Sequence, residues 1–156
     1  MNDDNDGEGF ERYMRLALEQ ARLAVEAGEV PVGAVLVDPG GEVLARAHNR
    51  VIADSDPTAH AEVLVLRAAG RALSVPRLVG CDLYVTLEPC PMCAQAISFA
   101  RVRRLHFGAR DAKGGGVEHG PRIFSQPTCH HRPEISGGLL AETSSTLLKD
   151  FFRARR

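Results

Sequence analysis

From residue 10 onward the chain alternates between two hydrophobic periods. Phe10, Met14, Ala17, Ala21 and Ala24 recur at helical spacing, which predicts a helix over Phe10–Ala27 with Gly28 as its stop. "VPVGAVLVD" is a near-continuous apolar run and predicts a buried strand, followed by a "PGGE" turn and the hairpin partner "VLARAH". After the polar, irregular "NRVIADSDPTAH", the segment "AEVLVLRAAG" predicts a helix closed by Gly70. "CDLYVTLE" reads as a strand, and "PMCAQAISFA" as a helix with proline in its first turn, where a missing N–H costs nothing. "RRLHFGA" reads as a fourth strand. "RDAKGGGVEHGPRIFSQPTCHHRP" is too long and glycine-rich for a plain connection and has the character of a functional loop. A short strand over Glu134–Ser136 and a helix from about Leu139 complete the pattern. Strands alternating with helices behind one opening hairpin predict α/β layers around a mixed sheet.

Composition narrows this only a little. The 156 residues are 44% hydrophobic and 25% charged, in keeping with one globular domain that buries roughly 70% of its unfolded surface. No run of about 18 apolar residues predicts a membrane helix. The acidic "MNDDNDGEGF" lacks the apolar centre of a signal peptide, so residues 1–9 are expected to be a short disordered tail before one domain over 10–156. Four cysteines, two of them in C-x-x-C, make a reducing cytoplasm the default compartment.

Charge adds a polarity. Residues 1–100 carry 8 basic and 15 acidic groups, and residues 101–156 carry 11 basic and 5 acidic. Of the 19 basic residues 17 are arginine, and the chain ends "FFRARR". Arginine's planar fork suits phosphates and bases, although solvated arginines from a GC-rich genome would look the same.

The chemistry concentrates in "TLEPCPMC". Cys90 and Cys93, three positions apart at a helix start, fit a redox dithiol, half of a structural zinc site or part of a catalytic metal centre. A redox pair of the thioredoxin kind is disfavoured by its place behind two helices and a hairpin. A closed zinc site could draw on Cys81, Cys129, His130 or His131. Cys81 opens the strand that Cys90 ends, about nine extended residues or roughly 30 Å away, and is better read as a buried small apolar residue. The third candidate is "TAHAEVLVL": His60 also sits at a helix start, and two such N-termini can converge on one sheet edge. One imidazole and two thiolates leave a fourth zinc position for water, and Glu62 is close enough to the same helix end to shuttle its protons.

H-A-E and P-C-x-x-C together resemble the zinc deaminases of nucleobases, for which this signature and mechanism are established. "EVPVGAVLV", "NR", "DPTAHAE", "LYVTLEPCPMCAQAI", "FGARDAKGG" and "DFFRARR" are similar to the bacterial tRNA-specific adenosine deaminases, over nearly the whole chain from Phe10. That resemblance implies a three-layer α/β/α cytidine-deaminase-like fold with a five-stranded mixed sheet and helices on both faces. It implies one zinc per subunit on His60, Cys90 and Cys93, with Glu62 carrying protons during conversion of adenosine to inosine at the first anticodon position. Asn49 would hydrogen-bond the flipped base, or else be a turn asparagine. Val30 and Pro31 would form pocket wall, with backbone from Ala61 and Pro89. Asp111 would contact RNA beside the edited nucleotide, unless it only caps its own loop. Lys113, Arg153, Arg155 and Arg156 are candidates for tRNA phosphates. One of Phe151 and Phe152 should anchor the last helix.

The expected partners are a tRNA anticodon stem-loop, arginine tRNA first, and a second copy of the chain, with no membrane. "GGVEHGPRIFSQPTC" departs from the better-known bacterial sequences, and no longer basic tail follows Arg156, which bears on tRNA affinity rather than chemistry. The main rival is the same chemistry on free guanine, cytosine or a nucleoside. A non-catalytic zinc or RNA-binding subunit is the other, and it would have no use for Glu62.

Overall fold

Strand alternation decides the layering. In β1 (Gly33–Val37) every residue is buried, with Ala34 and Leu36 in one hydrophobic cluster and Val35 and Val37 in another. A strand covered on both faces must sit inside a sandwich of helices. The computed structural model describes residues 6–155, and it places β1 near the middle of a sheet with the order β2-β1-β3-β4-β5. The other strands are β2 (Val43–His48), β3 (Asp82–Leu87), β4 (Arg104–Ala109) and β5 (Glu134–Gly137). β1 runs antiparallel to β2 and β3, whereas β3, β4 and β5 are mutually parallel. The expected mixed five-stranded α/β sheet is therefore what the chain forms.

Helices α2 (Ala61–Leu73) and α3 (Pro91–Phe99) cover one face. There Ala61, Val65, Ala94 and Ile97 pack with Leu83, Val85, Leu105 and Phe107. Helices α1 (Asp6–Glu26) and α4 (Ala141–Arg153) cover the other, where Met14, Ala17 and Leu18 meet Val35, Val37 and Tyr84. α1 lies so close to β1 that a Cβ on Gly33 would collide with the backbone at Ala17 and Ala21. Phe151 is buried and Phe152 is half exposed, so one of the two phenylalanines anchors α4.

Two element ends differ from the sequence expectation. α1 begins at Asp6, so residues 6–9 of the expected tail are helical, and the rest of that tail lies outside the described residues. α2 continues past Gly70 to Leu73 and stops where Ser74 adopts a left-handed φ of 55°. Gly70 serves a close approach instead of a stop. The chain folds back so that the Val75 N–H donates to the Gly70 carbonyl at 3.0 Å.

One core group is out of keeping with its surroundings. His106 on β4 is buried, its ring stacked on Tyr84 at 4.6 Å and beside Phe10 at 4.5 Å, and neither ring nitrogen has a hydrogen-bond partner among the described residues. Burial pushes its pKa below the ordinary 6.5; Arg104 adds to this, while Asp82 and Glu134 oppose it. The neutral ring is thus favoured in the fold, whereas the unfolded chain protonates first as pH falls. The stability that His106 contributes is complete above about pH 6.5 and is lost as pH drops toward its lowered value. His106→Leu should therefore melt higher than the parent at pH 5.5, by several degrees more than at pH 7.5. Scanning calorimetry giving the same difference at both pH values would contradict this.

Candidate active site

β2, β3 and β4 run in one direction and end at the same sheet edge, where β1 begins. The segments leaving that edge enclose a cavity of about 550 Å³. Val30 and Val32 line it from the approach to β1, Asn49 follows β2, Leu87 and Cys90 end β3, and Asp111 and Gly114 follow β4. Open α/β sheets bind ligands at such carboxyl edges.

Two helices start at this edge, and both present a ligand at the capping position. His60 caps α2 with extended backbone, and Cys90 caps α3 in the same way, with Pro91 as the first helical residue. Neither side chain bonds its own helix end. The N–H of Ala61, the first helical residue, is satisfied by the Asn49 Oδ1 at 2.8 Å, from the segment after β2. His60 Nδ1 lies 3.6 Å from Cys90 Sγ and 3.4 Å from Cys93 Sγ. Two ligands on a tetrahedral zinc, with ordinary Zn–N and Zn–S lengths, stand about 3.6 Å apart. The donor set therefore fits that metal in spacing as well as in type. Among the described residues His60, Cys90 and Cys93 are the group able to hold a metal ion.

The electrostatics agree. The Cys93 thiol donates toward Cys90 and, with His60, holds the Cys90 pKa down at about 4 against its burial. The hydrogen bond to Cys90 and burial push Cys93 up. The two sulfurs thus share a proton, which a divalent cation would displace. Glu62, buried beside them, has its carboxyl pushed up to about 7 by burial, and Cys90 adds to this while His60 opposes it. A carboxyl poised near neutrality can both accept and return a proton.

The other sequence candidates divide. Asn49 uses its oxygen to cap α2, which leaves the Nδ2 amide as the group it can offer a ligand. Asp111 lines the cavity, but its Oδ1 also accepts the Lys113 and Gly114 N–H groups, so it caps its own loop as well. Val30 and Arg155 face the cavity, whereas Pro31, Ala61 and Pro89 are buried behind it. Lys113 and Arg153 are exposed, and Arg156 lies outside the described residues. Cys81 is buried in the core, as expected of a small apolar residue. Cys129 is buried against Ser98 Oγ and the His131 carbonyl, His131 Nε2 bonds the Val102 carbonyl, and His130 is exposed, so these three do not complete a closed zinc site.

Three features of the cavity wall were not assigned to it from the sequence. Phe151 and Arg155 close one side, with the guanidinium 3.5 Å over the ring. Glu29 is buried and accepts the Ile52 and Ala53 N–H groups. Glu88 is buried and gathers the loop after β4. "EVP" before β1 and "LEP" after β3 each place a carboxylate one or two residues ahead of a proline at the cavity edge, which is the signal that could have marked both.

Comparison with known proteins bears on the same residues. The profile of the "Cytidine and deoxycytidylate deaminase zinc-binding region" matches residues 8–109. A tRNA-specific adenosine deaminase of Agrobacterium fabrum (strain C58) is 58% identical over 144 residues, covering 92% of this chain and 94% of that protein. A solved chain from a study of A-to-I editing by tRNA:A34 deaminases at the wobble position of transfer RNA superposes with a TM-score of 0.86 at 58% identity. It covers 88% of this chain and 99% of the other. A guanine deaminase from Nitrosomonas europaea superposes with a TM-score of 0.74 at 26% identity, covering 90% and 83%.

Metal analysis of purified variants checks the ligand set. The parent and Glu62→Gln should each carry about one zinc per chain, whereas His60→Ala and Cys93→Ser should carry less than about a tenth of that. Full zinc in either ligand variant would remove that residue from the set.

Proposed function

The chain belongs to the cytidine and deoxycytidylate deaminase zinc-binding family, and we infer that it converts adenosine to inosine at the wobble position of tRNA. One observation carries the chemistry: three zinc ligands converge beside a buried, near-neutral carboxyl in a single cavity. Identity of 58% over 92% of the chain to a tRNA-specific enzyme, against 26% to a guanine deaminase, favours the tRNA substrate over a free base.

Zinc, when bound by His60, Cys90 and Cys93, supplies a Lewis acid that brings the pKa of a water toward neutrality. Glu62 takes one proton from the attacking water and passes it to the purine ring nitrogen, then takes the second from the new C6 hydroxyl and delivers it to the departing amine. The C6 amino group is replaced by oxygen and leaves as ammonia. Asn49 holds the flipped base through its Nδ2, because its oxygen is committed to Ala61. The apolar walls at Val30, Val32 and Leu87 exclude water around the ring. Arg155 and Asp111 at the rim meet the flanking nucleotides, and Lys113, Arg153 and Arg156 meet phosphates. Arginine tRNA with a wobble adenosine is the expected substrate.

The protein acts as a homodimer in the cytoplasm. Support for a second copy comes from the outer face of α2 and α3, where Leu66, Val75 and Phe99 line an apolar groove and Phe99 is 70% exposed. No helix among the described residues is long and apolar enough to cross a membrane.

Two measurements test this reading. Zinc-loaded protein offered arginine tRNA beside free adenosine, guanine and cytosine should form inosine in the tRNA alone, and Glu62→Gln should slow it by about 10²–10⁴-fold. Ammonia from a free base without inosine in the tRNA would move the protein to the small-molecule branch. In light scattering the parent should have twice the mass of its chain and Phe99→Asp the mass of one; equal masses would displace the contact from this face.

A further inference from the structure

Glu88 is a carboxylate with no exposed side-chain surface, two residues before a zinc ligand, yet it does not face the metal group. Its oxygens are filled by backbone from the loop after β4. Oε1 accepts the Asp111 N–H at 3.1 Å, and Oε2 accepts those of Val117, Glu118 and His119 at 3.2, 3.0 and 3.2 Å. The fifth partner is a side chain from the same loop, His119 Nδ1, 2.8 Å from Oε1. An ionised carboxylate only accepts, so Nδ1 carries the hydrogen. Burial alone would raise the Glu88 pKa, but these donors outweigh it and hold the group below the usual carboxylate range.

The loop is shaped to reach this anion. A Cβ on Gly115 would collide with Glu88 Oε2, and one on Gly116 with the backbone at Pro91. The Gly116 N–H donates to the Pro89 carbonyl at 2.8 Å, which fastens the loop to the start of α3. Asp111, itself one anchor point, and Gly114, which lies between the anchors, face the cavity, whereas His119 lies outside it. The rim is thus held from beneath by one buried charge, and His119 is the donor it supplies through a side chain.

We propose that the buried Glu88 and the half-exposed His119 form a latch that positions the 111–119 rim for binding the nucleotides around the edited base. This rests on the tRNA reading above. Both are positioning residues, acting through Asp111 and Gly114 and touching no reacting atom. The latch therefore governs substrate affinity and leaves the chemical step to Glu62 and the zinc ligands. Asparagine in place of His119 can set an amide N–H near the Nδ1 position, whereas alanine cannot.

The experiment compares zinc-loaded parent, His119→Ala and His119→Asn on an arginine anticodon stem-loop, with hydrogen exchange of the 111–119 amides measured on the same samples. In His119→Ala we expect KM to rise about 5- to 10-fold, kcat to stay within about twofold and amides 117–119 to exchange faster, as a lost charge-assisted bond implies. In His119→Asn, KM and protection should return most of the way. A fall in kcat at unchanged KM, unchanged exchange in His119→Ala, or no recovery in His119→Asn would each overturn the latch. If the parent itself leaves the stem-loop unedited, the substrate reading fails instead, and exchange in the three proteins still decides whether the latch exists.

Discussion

The structure depends on the meeting of two helix N-termini at one sheet edge. β1 is antiparallel to its neighbours and β3 is parallel to β4, so α2 and α3 lie on the same face and start side by side. Their capping residues are His60 and Cys90, and with Cys93 one turn on, two sulfurs stand 3.4 and 3.6 Å from one imidazole nitrogen. Using cap positions as metal ligands leaves a helix end short of an acceptor, and Asn49 restores it from β2. Binding geometry and helix capping are therefore one arrangement. The same bond that completes α2 fixes which end of Asn49 remains for a base.

Three buried glutamates then divide the work by their surroundings. Glu29 accepts the Ile52 and Ala53 N–H groups, and Glu88 accepts four backbone N–H groups with His119 Nδ1, so each holds a loop beside the cavity. Glu62 answers chiefly to its burial, and its pKa rises to about 7. At Glu88 hydrogen bonds to the charged form favour a structural anion, whereas at Glu62 desolvation favours a proton carrier. The fold supplies both environments within one cavity.

Much of this was legible in the sequence, for reasons that differ by element. "VLARAH" shows its strand without ambiguity because turn residues bound it on one side and a polar segment on the other. "HAE" and "PCPMC" declared the ligands because each sits at a helix start, and the convergence of helix starts is a property of α/β layers. Gly70 misled because glycine marks both helix stops and close approaches, and only the returning chain at Val75 separates them. Glu29, Glu88 and His119 were silent because their role lies in backbone groups far along the chain, which residue type does not encode. Arg155 was read as a phosphate contact, yet its stacking on Phe151 at the cavity wall required the helix to be in place.

The central claim is that this cavity replaces the C6 amine of one tRNA adenosine with an oxygen from water. Zinc-loaded protein acting on wobble-adenosine arginine tRNA in ¹⁸O-labelled water tests it most directly, with mass spectrometry of the nuclease-digested RNA as the readout. Inosine should form at the wobble position alone, carrying one ¹⁸O. Unlabelled inosine, inosine elsewhere in the anticodon loop, or an intact wobble adenosine would contradict it.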